Sequence, residues 1–136
     1  MTSELSIGAE VSKTITVDLP RTVDFLGEEL RVYATPELVR DIEQTCLDFL
    51  LAHVKPGENS VGISIDLNHS AATLVGMAVQ ITATVIAMDG RKVSFKVTAA
   101  DGIEEICSGT HSRFIVNVAK LRGRVHDKAQ RALAMR

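Results

Sequence analysis

The 136-residue sequence has no tryptophan, one tyrosine and four phenylalanines. With so few rings, Val, Ile, Leu and Ala must build the core. Two cysteines, Cys46 and Cys107, are too few for a disulfide framework. One falls in a predicted helix and the other in a predicted strand, where each serves as a small buried hydrophobe, as expected in a reducing compartment. There is no CxxC pair, and no two of the four histidines have zinc-site spacing, so no metal site is expected. GxGxxG and P-loop signatures are missing, which removes support for nucleotide cofactors held in those ways. Gly62-Ile63-Ser64-Ile65-Asp66 looks like a nucleophile elbow but lacks its second glycine and its strand-to-helix setting. No secretory apolar region opens the chain and no run is long enough to cross a bilayer. The expectation is a cytoplasmic protein with no membrane partner.

A large excess of charge is missing too. The net charge of −2 gives no reason to expect nucleic acid. The distribution is uneven, however. Lys120 to Arg136 holds six Lys or Arg and one Asp, formally +5, so the remainder carries −2 − 5 = −7. A basic segment on an acidic body can attract a phosphorylated ligand or an acidic partner. A solvated Arg-rich helix explains it equally well. Length and a 46% apolar share fit one globular domain, residues 1–136, with 120–136 as its basic C-terminal segment.

Residues 10–19 alternate imperfectly and read as a strand ended by Pro20. Thr22 to Leu26 is expected to form a short helical turn stopped by Gly27. The clearest element is a helix over Pro36–Val54. Thr35 can cap it, Pro36 suits a first helical position, and Glu37 favours the positive helix start. Its apolar residues, Leu38 to Val54, recur mostly at spacings of three and four, and Pro56-Gly57 closes it. Strands follow at 60–73, 79–88, 92–100 and 103–118, rich in Val, Ile and Thr. Asp89-Gly90 and Asp101-Gly102 read as hairpin turns, and Leu74-Val75-Gly76 links the first two strands. Lys120 to Met135 is a terminal helix weakened by Gly123. One long apolar helix followed by an antiparallel meander needs a sheet that curls around the helix. The expected fold is therefore α+β, a hotdog: one central helix wrapped by a curved antiparallel sheet.

Three groups stand out chemically. Glu43 shares a helix line with Val39, Cys46 and Leu50, whereas Asp41, Gln44 and Asp48 lie on other faces and read as solvated. A carboxylate in an apolar stripe is costly unless paired or functional, and desolvation there suits a general base. The alternative is that Glu43 sits at the stripe's edge and reaches water. Thr35 is a plain cap, or it stands where free helical N–H groups hold an oxyanion. His69 sits in a strand among Ser70, Ala71 and Ala72, either as a core or edge histidine or as a proton carrier. His53, His111 and His126 are less suggestive.

These residues also fall into a known order. Ala34-Thr35, Glu43 eight residues later, Gly62, His69-Ser70-Ala71-Ala72-Thr73, Asp101-Gly102 and Ser108-Gly109-Thr110-His111-Ser112-Arg113 together resemble the acyl-CoA thioesterases of the fluoroacetyl-CoA thioesterase-like family. The likeness runs from about Ile7-Gly8 to Val118. The resemblance implies a catalytic Thr35, Glu43 and His69, with Gly62 and Arg113 helping to place the substrate. The implied reaction is hydrolysis of a small acyl-CoA thioester to free acid and coenzyme A. Glu43 would attack the carbonyl or activate water, Thr35 would position Glu43 or the carbonyl oxygen, and His69 would move a proton. Coenzyme A is then part of the substrate, no cofactor is retained, and Arg and Lys at the pocket mouth would meet its phosphates. Departures limit the carry-over. Pro36 stands where the fluoroacetyl enzyme has glycine, and the segment Val23 to Tyr33 is shorter, with Phe25 its only phenylalanine. Fold and reaction class are implied; selectivity for fluoroacetate is not. Two other activities use the same fold: an acyl-CoA or acyl-carrier binding module without turnover, and a hydratase or dehydratase.

Spacing adds one more expectation. Eight residues of helix rise about 12 Å. Thr35 and Glu43 of one straight helix cannot meet. Either the helix begins after Pro36, or the site is shared between the subunits of a homodimer, which the family resemblance also implies.

Overall fold

The structure is a computed structural model that describes residues 5–136. Strand β1 (Glu10–Thr16) leads through two short 3-10 turns, Leu19–Arg21 and Glu28–Leu30, into helix α1 (Thr35–Leu51). Strands β2 (Glu58–His69), β3 (Ala78–Asp89), β4 (Lys92–Ala100) and β5 (Glu105–Asn117) follow, and helix α2 (Val118–Ala134) ends the chain. The expected helical turn over Thr22–Leu26 is absent. Pro20 sits inside a 3-10 turn, where its fixed φ is at home.

One antiparallel sheet runs in the order β1-β3-β4-β5-β2. The meander therefore covers only β3, β4 and β5. β2 and β3, expected to be neighbours, are separated by β4 and β5, because residues 70–77 carry the chain across. The burial pattern gives the reason. β3 and β4 alternate cleanly, burying Val79, Ile81, Ala83 and Val85, and Val93, Phe95, Val97 and Ala99. β2 buries little besides Ser60 and leaves Val61, Ile63 and Ile65 exposed, so it is an edge strand. Its pairing with β5 slips between Gly62 and Ser64, which makes Ile63 a bulged residue.

The hotdog expectation holds: α1 lies in the curve of the sheet. Leu38, Ile42, Cys46 and Leu50, each four residues apart, are fully buried against the sheet. This stripe differs from the expected one. Glu43 follows Ile42 by one residue, about 100° around the helix. It lies on the flank, and its side chain stays 43% exposed. Asp41, on the other flank, is buried, contrary to the solvated position expected for it. Thr35 does not cap the helix. Ala34 holds that position in extended geometry, no side chain caps it, and Thr35 is the first helical residue. A helix starting after Pro36 is thereby removed.

Both cysteine thiols are free and buried, and burial pushes them up, Cys46 to about 12 and Cys107 to about 11. α2 is capped by Asn117, whose side chain accepts from Lys120 N at 3.0 Å, and none of its residues is buried. Among the described residues no helix is long and apolar enough to cross a membrane.

Candidate active site

The structure groups the expected residues in two places. At the end of β2, Thr35 Oγ1 lies 2.7 Å from His69 Nδ1. Two backbone bonds set Thr35 there: Ala34 N–H donates to Arg21 O at 2.8 Å, and Tyr33 N–H donates to Thr73 O at 2.9 Å. The buried Thr73 donates its hydroxyl to Asp101 Oδ2 at 3.0 Å, which fastens the return from β2. Burial lowers the His69 pKa below the ordinary imidazole value, against a smaller upward pull from a backbone bond to Ala71. The ring is therefore neutral at pH 7, able to take a proton at one nitrogen and give one at the other. Its Nε2 is buried and has no hydrogen-bond partner among the described residues. The pair opens on a cleft of about 320 Å³ lined by Val23, Leu26, Val32, Ala71 and Ala72 among others. Phe25 takes no part in it and is 75% exposed.

The second place lies on the flank of α1. Glu43, Gly62, Ile63, Ser64, Ile65 and His111 line a smaller cleft of about 210 Å³. A Cβ on Gly62 would stand 2.7 Å from Glu43 Oε2, so the missing side chain is what admits the carboxylate. Arg113 is buried beside it. Its Nε donates to Ser60 Oγ at 2.8 Å and its Nη2 to Ser60 O at 3.0 Å. Its Nη1 lies 3.9 Å from Glu43 Oε2, which is charge proximity rather than a hydrogen bond. Burial lowers the guanidinium pKa, yet the group stays charged, faces Glu43 and can meet a second oxygen there.

His111, passed over in the sequence, is a fixed part of this group. Its Nδ1–H donates to Ser64 O at 2.8 Å, and Arg113 Nη1 lies 3.2 Å from its Nε2. With Nδ1 protonated, Nε2 is free to accept from Arg113. Burial lowers the His111 pKa, and the Arg113 charge adds to this. His111 thus joins the carbonyl beside the β2 bulge to the cation beside Glu43. The signal for it was its place in the ordered set, two residues before Arg113.

The two places are apart within one protomer. Their clefts share no residue. Gly62 and His69 are seven residues apart on β2, about 23 Å of extended strand. Among the described residues no three His, Cys, Asp or Glu side chains come together as a metal ion would require.

The chain is similar to known proteins in sequence and in fold. The family model described as fluoroacetyl-CoA-specific thioesterase matches residues 17–119. A fluoroacetyl-CoA thioesterase from Streptantibioticus cattleyicolor is 36% identical over 116 residues, 85% of this chain and 83% of the relative. A solved variant of the fluoroacetyl-CoA-specific thioesterase, in complex with fluoroacetate and CoA, is similar with a TM-score of 0.80 and 33% identity, covering 86% of this chain and 99% of that one. A thioesterase superfamily member from Thermus thermophilus has a TM-score of 0.87 at 27% identity, covering 98% and 99%.

Proposed function

The chain belongs to the fluoroacetyl-CoA-specific thioesterase family, and from that premise we propose that its acyl-CoA thioester hydrolysis is carried by Glu43, Thr35 and His69, with Gly62 and Arg113 placing the substrate. The observation that carries the reading is the 2.7 Å contact of Thr35 with His69 at the end of β2, with a half-exposed carboxylate against Gly62 toward its other end. Glu43 attacks the thioester carbonyl, or draws the proton from the water that attacks it. The carbon–sulfur bond breaks and the coenzyme A thiolate leaves, to be protonated by the proton that the water gives up; where Glu43 itself has attacked, that water next cleaves the acyl–Glu43 anhydride, which releases the acid and the free carboxylate. His69, neutral and bonded through Thr35, is suited to move that proton. Arg113 and the Thr35 end of α1 face the charge that develops on oxygen.

The working site in this reading is shared by two protomers. β2 is an open edge with exposed Val61, Ile63 and Ile65, and such edges invite pairing. An antiparallel pairing of two copies of β2 about a two-fold axis near Ile65 and Asp66 sets residue 62 of one copy against residue 69 of the other, since 62 + 69 = 65 + 66. Glu43 of one protomer then meets the Thr35–His69 pair of its partner.

The substrate is a small acyl-CoA. The cleft beside Thr35 is open, with Val23, Leu26, Val32, Ala71 and Ala72 facing the polar Thr35, His69 and Ser70, which suits a short acyl group. The basic face of α2 is the part of the chain fitted to meet coenzyme A phosphates. A cytoplasmic location belongs to the same reading, with two free buried thiols. A thiol-release assay over a panel of acyl-CoAs tests it. The expected result is free thiol with short acyl chains, and turnover lowered at least about tenfold, ~1.4 kcal/mol in barrier, by Glu43→Gln and by His69→Ala. Normal turnover in both variants, with the fold confirmed, would remove these residues from the reaction. Binding without thiol release would make the chain a binding module.

A further inference from the structure

Asp41 is buried on α1 and takes no part in the proposed mechanism. Three side-chain donors converge on its carboxylate. Arg21 gives two, Nε to Oδ2 at 2.9 Å and Nη2 to Oδ1 at 3.1 Å. The Tyr33 hydroxyl gives a third, to Oδ2. Arg21 is also held from outside by Asp18, at 2.7 Å. This is a buried carboxylate with a bidentate arginine, a geometry that fixes direction as well as distance.

What the network holds is the entry to α1. Arg21 presents its carbonyl to Ala34 N–H, and Tyr33 presents its N–H to Thr73 O, so these bonds flank the residue just before Thr35. The Tyr33 ring meets the His69 ring edge-on, with centroids 6.4 Å apart and planes at 78°. Tyr33 therefore touches Asp41 at its hydroxyl and His69 at its ring. Burial and the Asp41 hydrogen bond both raise the Tyr33 pKa, which keeps the phenol a donor.

We infer that Asp41 is a positioning residue: through Arg21 and Tyr33 it fixes where Thr35 presents its hydroxyl to His69. The inference rests on the catalytic role proposed above for that pair. Asp41 itself touches neither the acyl group nor the reacting atoms. Without its charge, Arg21 loses its buried counter-ion, one acceptor oxygen is left for three donors, and the start of α1 is free to shift against β2. A shift of about 1 Å is enough to lower turnover severely in a site of this kind.

The test uses Asp41→Asn, which keeps the shape, and Tyr33→Phe, which keeps the ring. With folded protein, Asp41→Asn is expected to lower kcat at least about tenfold with KM within about threefold. In a Thr35→Ala background the same change should add less than about twofold, because two residues acting through one contact are not additive. A second readout needs no activity: the ring-nitrogen NMR signals of His69, which report the Thr35 bond, should shift in both variants. The inference is overturned if both variants keep wild-type His69 signals. It is also overturned if Asp41→Asn lowers kcat equally with and without Thr35, which is what a purely structural pin would do. Absence of thiol release by the wild-type protein would sink the proposed function, and the His69 signals would still decide the role of Asp41. Should Asp41→Asn fail to fold, Tyr33→Phe carries both readouts.

Discussion

Replacing Gly62 by alanine should separate activity from stability. The added Cβ would stand 2.7 Å from Glu43 Oε2, 3.3 Å from His111 Cε1 and 3.4 Å from Arg113 Nη1. Ordinary contact begins at 3.4 Å, so the arginine stays and the carboxylate must retreat by 3.4 − 2.7 = 0.7 Å. It can do so at little cost, because the Glu43 side chain is 43% exposed and has solvent to swing into. Gly62 does not need the left-handed region, so alanine fits the backbone. Removing the conformational freedom of a strand glycine is itself favourable by about 0.5–1 kcal/mol. The expected melting temperature is thus unchanged or slightly raised. Catalysis should respond differently. A misplacement near 1 Å lowers turnover by up to about a hundredfold, so Gly62→Ala should lose about tenfold to a hundredfold in kcat, roughly 1.4–2.7 kcal/mol in barrier. Thiol release under saturating acyl-CoA, beside thermal unfolding of the same preparation, measures both. Native kcat in a stable Gly62→Ala protein would show that the carboxylate position against Gly62 is not the reactive one. A large loss of stability would show that Glu43 cannot retreat as described.

Two further outcomes are expected. Mixing Thr35→Ala protein with Glu43→Gln protein, under conditions where subunits exchange, should restore part of the activity, since one site of each mixed dimer is then intact; no recovery despite exchange, or a monomer in solution, rules against the shared site. His69 and His111 are both held below the ordinary imidazole value of 6.5, chiefly by burial. Their depressed pKa values mean that the unfolded chain takes up protons first as pH falls, so stability should hold above about 6.5 and decline below it, whereas kcat/KM follows the lowered pKa of the folded enzyme and should hold to a lower pH. Denaturant unfolding and thiol release at several pH values check this, and stability that rises on acidification would contradict the burial of both rings.

The sequence by itself determined a good deal. Apolar spacing located α1, and β-branched runs with Asp-Gly turns located the strands, with β4 placed at its exact bounds. These signals are local, set by helix and strand periods and by turn chemistry. The ordered set from Thr35 to Arg113 named residues that the fold groups at two separate places, Thr35 with His69 and Glu43 with Gly62 and Arg113. Strand order was not local: nothing in residues 70–77 says that β2 crosses to the far edge. The sequence placed two of the carboxylates of α1, Asp41 and Glu43, wrongly. Asp41 reads as solvated until Arg21 and Tyr33, twenty and eight residues away, arrive to neutralise it. Glu43 reads as part of the stripe until the sheet chooses the line Leu38, Ile42, Cys46 and Leu50. His111 is marked along the chain only by standing two residues before Arg113 on the same strand face, and its other partner is a strand carbonyl 47 residues earlier. Thr35 likewise met His69 across 34 residues. A pattern along the chain fixes which way a side chain faces; what it faces is decided only when distant segments pack, because burial and partner arrive together.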